Sequence, residues 1–143
     1  EEDFDEMPEI AAGDIDGDGV SEIALSIEQE QENEKGNKKG DKKKGKKEDD
    51  EKKAGIIRIL TGTGEATTTT IEAFQGMGFE GPCTVAMGDI DGDGKAEIIA
   101  GAGRDEDNDP LIRVYKGDGT YTGTSMKAMD AKTGVNVGYG TFQ

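Results

Sequence analysis

Acidic side chains recur in this sequence at a spacing suited to holding a hard cation. Gly13-Asp14-Ile15-Asp16-Gly17-Asp18-Gly19-Val20-Ser21-Glu22-Ile23 is repeated as Gly88-Asp89-Ile90-Asp91-Gly92-Asp93-Gly94-Lys95-Ala96-Glu97-Ile98, with nine of eleven positions identical. Calcium takes six to eight oxygen ligands at about 2.3–2.6 Å, and alternate carboxylates on a tightly turned backbone supply such a set. Glycine permits the turn, because it enters positive φ without a Cβ penalty. Asp14, Asp16, Asp18 and Glu22 are the expected ligands of one Ca2+, with the main-chain carbonyl of Val20. Asp89, Asp91, Asp93 and Glu97 are those of a second, with the carbonyl of Lys95, whose ammonium is free to point away. The duplication is the reason to prefer a metal loop over a merely acidic turn.

An EF-hand would need a bidentate glutamate at its twelfth position and a helix on each side. Leu25 and Ala100 stand at that position. The flanks, such as Ile10-Ala11-Ala12 and Ile23-Ala24-Leu25, are short, apolar and close to glycine turns, which is strand patterning.

These loops join elements that recur with them. Four strands are expected at Met7–Gly13, Ser21–Ile27, Gly55–Thr61 and Thr68–Gln75, and four more at Cys83–Gly88, Ala96–Gly101, Leu111–Lys116 and Thr124–Asp130. Arg58 and Arg113 take matching places in the third strands. Polar glycine turns at 61–64 and 117–120 separate the third and fourth strands of each set. The fold expected is all-β: two four-stranded antiparallel meanders, residues 1–81 and 82–143. Residues 28–53 interrupt the first with ten lysines, nine acids and no apolar side chain. Such a stretch reads as a solvated insertion, the alternative being that Lys38–Lys47 dock on an acidic neighbour. The second acidic stretch, 104–110, lacks the glycine spacing and reads as a turn.

Composition narrows the function. The chain has 143 residues, suiting one domain or a pair of repeats, and a formal net charge of −15. That surface repels nucleic acid and anionic membrane and attracts cations. No run is long enough to cross a bilayer. Histidine is absent, which removes the commonest general base and transition-metal ligand. Cys83 is the sole cysteine, beside Pro82 at a strand start, and is expected to be buried as a small apolar residue. No nucleophile with a partner base is visible and the distinctively spaced acids are accounted for by calcium, so the chain is not expected to be an enzyme. A calcium requirement without paired cysteines fits a secreted or cell-surface protein. Thr67–Thr70 read as β-branched strand, or as O-glycan acceptors in an extracellular setting; no Asn-X-Ser/Thr site occurs.

The string from Phe79-Glu80-Gly81-Pro82 through Met87-Gly88-Asp89-Ile90-Asp91-Gly92-Asp93-Gly94, followed by Glu97-Ile98-Ile99-Ala100-Gly101 and Ile112-Arg113-Val114-Tyr115, resembles the FG-GAP repeat, the calcium-bearing blade of integrin α-like β-propellers. The resemblance implies four-stranded propeller blades with calcium between strands one and two. Gly138-Tyr139-Gly140-Thr141-Phe142-Gln143 is similar to the lead-in of a third unit without its acidic loop. Stacked repeats generally need about three units to stand alone, so two blades imply further repeats or self-association, as a propeller, array or fibre. A structural or adhesive role is therefore expected first. The second reading is a recognition module that binds a protein or glycan through the propeller face, with Tyr121, taken to lie in a turn, as the exposed aromatic.

Overall fold

The computed structural model describes residues 8–27, 55–79, 81–103, 108–130, 132 and 134–141. Phe4, the 28–53 insertion and the acidic residues 104–107 lie outside them. Among the described residues there is no helix; the elements are β1 (Glu9–Gly13), β2 (Glu22–Ile27), β3 (Ile56–Leu60), β4 (Ala66–Ile71), β5 (Thr84–Gly88), β6 (Glu97–Gly101), β7 (Leu111–Tyr115) and β8 (Tyr121–Lys127). They form two four-stranded sheets with neighbours in chain order, β1-β2-β3-β4 and β5-β6-β7-β8, every pair antiparallel. The expected pair of meanders is what the chain folds into.

Repetition extends to detail. Ala12 faces Ile23 as Met87 faces Ile98, and Leu25 faces Arg58 as Ala100 faces Arg113. The register shifts once between Arg58 and Leu60 and once between Arg113 and Tyr115, an irregularity of the kind a β-bulge makes. Both following hairpins close alike: Thr61 N–H donates to Glu65 O (2.8 Å) and Lys116 N–H to Thr120 O (2.8 Å), with Gly64 and Gly119 at φ 88° and 87°.

The fourth strands start earlier than the sequence suggested, at Ala66 and Tyr121. The turns end at Glu65 and Thr120, so the chain is back in register at once. Tyr121 accordingly opens β8 and is not in a turn; its ring tilts against Tyr115 with centroids 5.5 Å apart, and the Arg113 guanidinium lies 5.1 Å over it. At the other end, β4 stops at Ile71 and the chain turns through 73–78. That turn drops Ala73 and Phe74 into the core, where Phe74 meets Phe79 at 5.0 Å between ring centroids.

The core lies between the sheets. β1 and β2 pack on β5, and one buried cluster joins Ala24, Ile57, Ile59, Ile71 and Phe74 of the first meander to Val85, Met87, Ile98, Ala100 and Tyr115 of the second. The carbonyl of Ala73 ties them further, accepting from Tyr115 Oη (2.8 Å) and Arg113 Nη1 (3.1 Å).

Cys83 is buried in this cluster and its Sγ donates to Gly55 O at 3.4 Å. Burial in apolar surroundings disfavours the thiolate, which pushes the thiol up to about 12. A thiol reagent at pH 8 is expected to leave the folded protein unlabelled and to label it once in denaturant; rapid labelling of the native protein would contradict this burial.

Candidate metal centre

Each acidic loop joins the first two strands of its meander. Asp14 follows the last residue of β1, the chain turns through 15–19, and Glu22 opens β2; Asp89 and Glu97 stand in the same relation to β5 and β6. The turns need left-handed backbone twice, at Gly17 (φ 82°) and Gly19 (φ 88°), and again at Gly92 (81°) and Gly94 (88°). Side chains rarely adopt that conformation.

The first aspartate organises each loop. Asp14 Oδ1 accepts N–H bonds from Gly17 (2.7 Å) and Asp18 (3.2 Å), and its Oδ2 accepts from Gly19 (2.8 Å). Asp89 accepts from Gly92 (2.7 Å), Asp93 (3.1 Å) and Gly94 (2.9 Å) in the same order. The Gly19 N–H, foremost among these donors, holds the Asp14 carboxyl below its ordinary value of 3.8, although burial acts against it. Asp16 and Asp91 each accept from the N–H two residues on, at 3.1 Å in both loops. Asp18 accepts from Val20 N–H (2.7 Å) and Asp93 from Lys95 N–H (2.8 Å). The glutamates close the loops from the far side, Glu22 Oε2 accepting from Ile15 N–H (3.1 Å) and Glu97 Oε2 from Ile90 N–H (2.8 Å).

Two oxygens that both touch an ion at about 2.4 Å stand at most about 4.8 Å apart. Asp14, Asp16 and Asp18 meet that condition, each with one carboxylate oxygen within 4.8 Å of the others, and so do Asp89, Asp91 and Glu97. Glu22 is not in the first group and Asp93 is not in the second, so the eight expected carboxylates are only partly gathered. Val20 and Lys95 sit where their carbonyls were expected to contribute, and the bonds seen there are those of their N–H groups. The donors are all oxygen, the set that hard divalent ions prefer. If an ion is held, Asp14, Asp16 and Asp18 would hold it in one loop, and Asp89, Asp91 and Glu97 in the other.

The loops also touch, which their separation along the chain did not suggest. Ala96 N–H donates to Asp14 O at 2.6 Å. The Lys95 stem covers Gly17, where a Cβ would stand 3.4 Å from Lys95 Cγ. A cleft of about 550 Å³ opens between them, with Asp16 and Glu22 on one side, Asp91, Asp93 and Glu97 on the other, and the β7–β8 turn beside them.

The FG-GAP repeat model matches residues 84–124. Among solved structures, the exotype rhamnogalacturonan lyase YesX is similar with a TM-score of 0.46 and 19% identity, over 83% of this chain and 22% of that one. The chain thus spans less than a quarter of the length of that lyase. No curated protein matches the chain. The FG-GAP resemblance is met by this match for the second acidic loop and its flanking strands; residues 79–82 and the first meander lie outside the matched residues.

Proposed function

We propose that the chain is a calcium-stabilised structural or adhesive module of a secreted or cell-surface protein, which assembles with further meanders of its own kind. The observation that carries this reading is the loop geometry itself, repeated bond for bond in two places. Carboxylates at that separation repel one another, and a divalent ion converts the repulsion into a rigid connection between strands. Binding free energy then becomes folding free energy. Extracellular modules commonly bind calcium at about 10⁻⁴–10⁻³ M, which suits a location outside the cell.

Assembly is supported by a face that lacks a partner among the described residues. Val85, Met87, Ile98, Ala100 and Tyr115 of the second meander are buried against the first. The same register positions of the first meander are Ile10, Ala12, Ile23, Leu25 and Leu60; Ile10 is 64% exposed and the others are exposed or half-buried. Arg113 donates to a carbonyl of the neighbouring meander, whereas its counterpart Arg58 is exposed. Apolar faces of this kind mark interaction surfaces, and the surface that fits is the back of another such meander, from a second copy or a neighbouring repeat. The glycan reading has an exposed aromatic to rest on, Tyr121, whose ring also meets Tyr115 and Arg113. Catalysis forms no part of this proposal.

Calorimetric titration with calcium tests the loops: two sites are expected, with Asp16→Ala removing one and Asp91→Ala the other. Titration without binding heat in the folded protein would overturn the reading. Negative-stain images with and without calcium then separate rings, filaments and monomers, and monomers under both conditions would overturn assembly.

A further inference from the structure

The first aspartate of each loop is held from outside its own sheet. Asp14 O accepts the N–H of Ala96 at 2.6 Å, from the second meander. Asp89 O accepts the hydroxyl of Tyr139 at 2.8 Å, from the stretch that follows the second meander. The packing beneath is parallel. Gly13 is approached by the β-carbons of Ala96 and Met87, at 2.9 and 3.0 Å from where its own Cβ would stand. Gly88 is covered by the Tyr139 ring so closely that any Cβ there would collide with it. Tyr139 is in turn anchored by its own segment: Val135 N–H donates to Ala102 O (2.9 Å) and Thr84 Oγ1 to Val135 O (2.7 Å).

The bonded peptide is the one that matters for the loop. The unit joining Asp89 to Ile90 accepts from Tyr139 at its carbonyl and donates from its N–H to Glu97 Oε2 at 2.8 Å. Its first residue, Asp89, and the glutamate it addresses are two of the three acids gathered in the second group. A peptide pinned at both ends cannot rotate, and a bond accepted at the carbonyl strengthens the one given by the N–H.

We propose that Tyr139 is a positioning residue of the second loop, its hydroxyl on the Asp89 carbonyl fixing Asp89 and Glu97 in the arrangement that takes a divalent cation. This rests on reading the loops as cation sites. Tyr139 is itself no ligand. It does for the second loop what the Ala96 N–H does for the first, and its effect is confined to the loop it touches.

The test uses the full chain with one loop disabled at a time. With Asp16→Ala leaving the second loop, Tyr139→Phe is expected to weaken calcium binding roughly two- to tenfold, the range of one net hydrogen bond. With Asp91→Ala leaving the first loop, the same change is expected to leave affinity within about twofold, as for a surface substitution remote from the site. Tyr121→Phe, which removes a hydroxyl elsewhere, should alter neither. Gly88→Ala, which unseats the ring, should reproduce the selective loss and serves as a second variant. Equal affinity with and without the Tyr139 hydroxyl overturns the proposal, and so does an equal loss in both loops, which would mark a general structural effect. If the unsubstituted chain binds no calcium, the loop reading itself has failed, and that is seen before any variant is made.

Discussion

In excess EGTA the thermal midpoint of the calcium-saturated protein is expected to fall by roughly 15 °C. A ligand at about one hundred times its Kd stabilises by about 2.7 kcal/mol per site, and for two sites the sum corresponds to a shift of that size in a chain of this length. The loops are where it originates. Hydrogen bonds from three loop N–H groups steady Asp14 and likewise Asp89, but each of these sits with two further acids within 4.8 Å, and nothing among the described contacts neutralises those charges. Magnesium should restore little of the loss, because it demands near-ideal octahedral geometry and dehydrates reluctantly. Acid should abolish the calcium effect. Asp14 has its carboxyl held below the ordinary 3.8, so what it contributes is complete above that value and is lost as pH falls through the lowered one. Scans of metal-free protein with and without added calcium should separate at pH 7 and draw together as the pH falls below the ordinary carboxylate range of about 4. Identical scans at pH 7 would leave the acidic loops as turns and nothing more.

What the residues disclosed in advance was local. Asp-x-Asp-Gly-Asp-Gly prescribes its own geometry, because the donors and acceptors that shape it are two to five residues apart, and the duplication identified the repeat. Alternating apolar strands between glycine turns likewise gave two meanders. The fourth strands were misplaced by a few residues because the hairpins at 61–65 and 116–120 close more tightly than their polar character suggested. Tyr121 lies in a strand and not in the expected turn for the same reason, while its expected exposure holds. Contacts between meanders were not legible at all. Nothing near Asp14 in sequence announces Ala96, and nothing near Asp89 announces Tyr139; both depend on how one sheet lies on the next. The same is true of the carbonyl of Ala73, bonded twice from the second sheet by Arg113 and Tyr115. The lysine-rich insertion at 28–53 lies outside the described residues, and its role stays where the sequence left it.

Phe74→Ala is expected to cost about 3–5 kcal/mol, as for other fully buried aromatic residues. Phe74 is 1% exposed and belongs to the cluster shared by the two sheets, where its ring meets that of Phe79 at 5.0 Å. It follows directly on Ala73, whose carbonyl holds Tyr115 and Arg113, and a cavity beside that carbonyl would loosen both bonds. The Arg113 Nε already lacks a hydrogen-bond partner among the described residues, so the bonds of this guanidinium leave little room for further loss. With total stabilities of about 5–15 kcal/mol typical of domains, the variant should unfold at much lower urea concentration, and its transition should broaden as the meanders part. Met129→Ala is the matched control: it deletes a large side chain from a site 51% exposed, and its cost should stay within about 0.5 kcal/mol. A Phe74→Ala protein that unfolds at the parental urea midpoint would mean that the sheets are not joined through this ring.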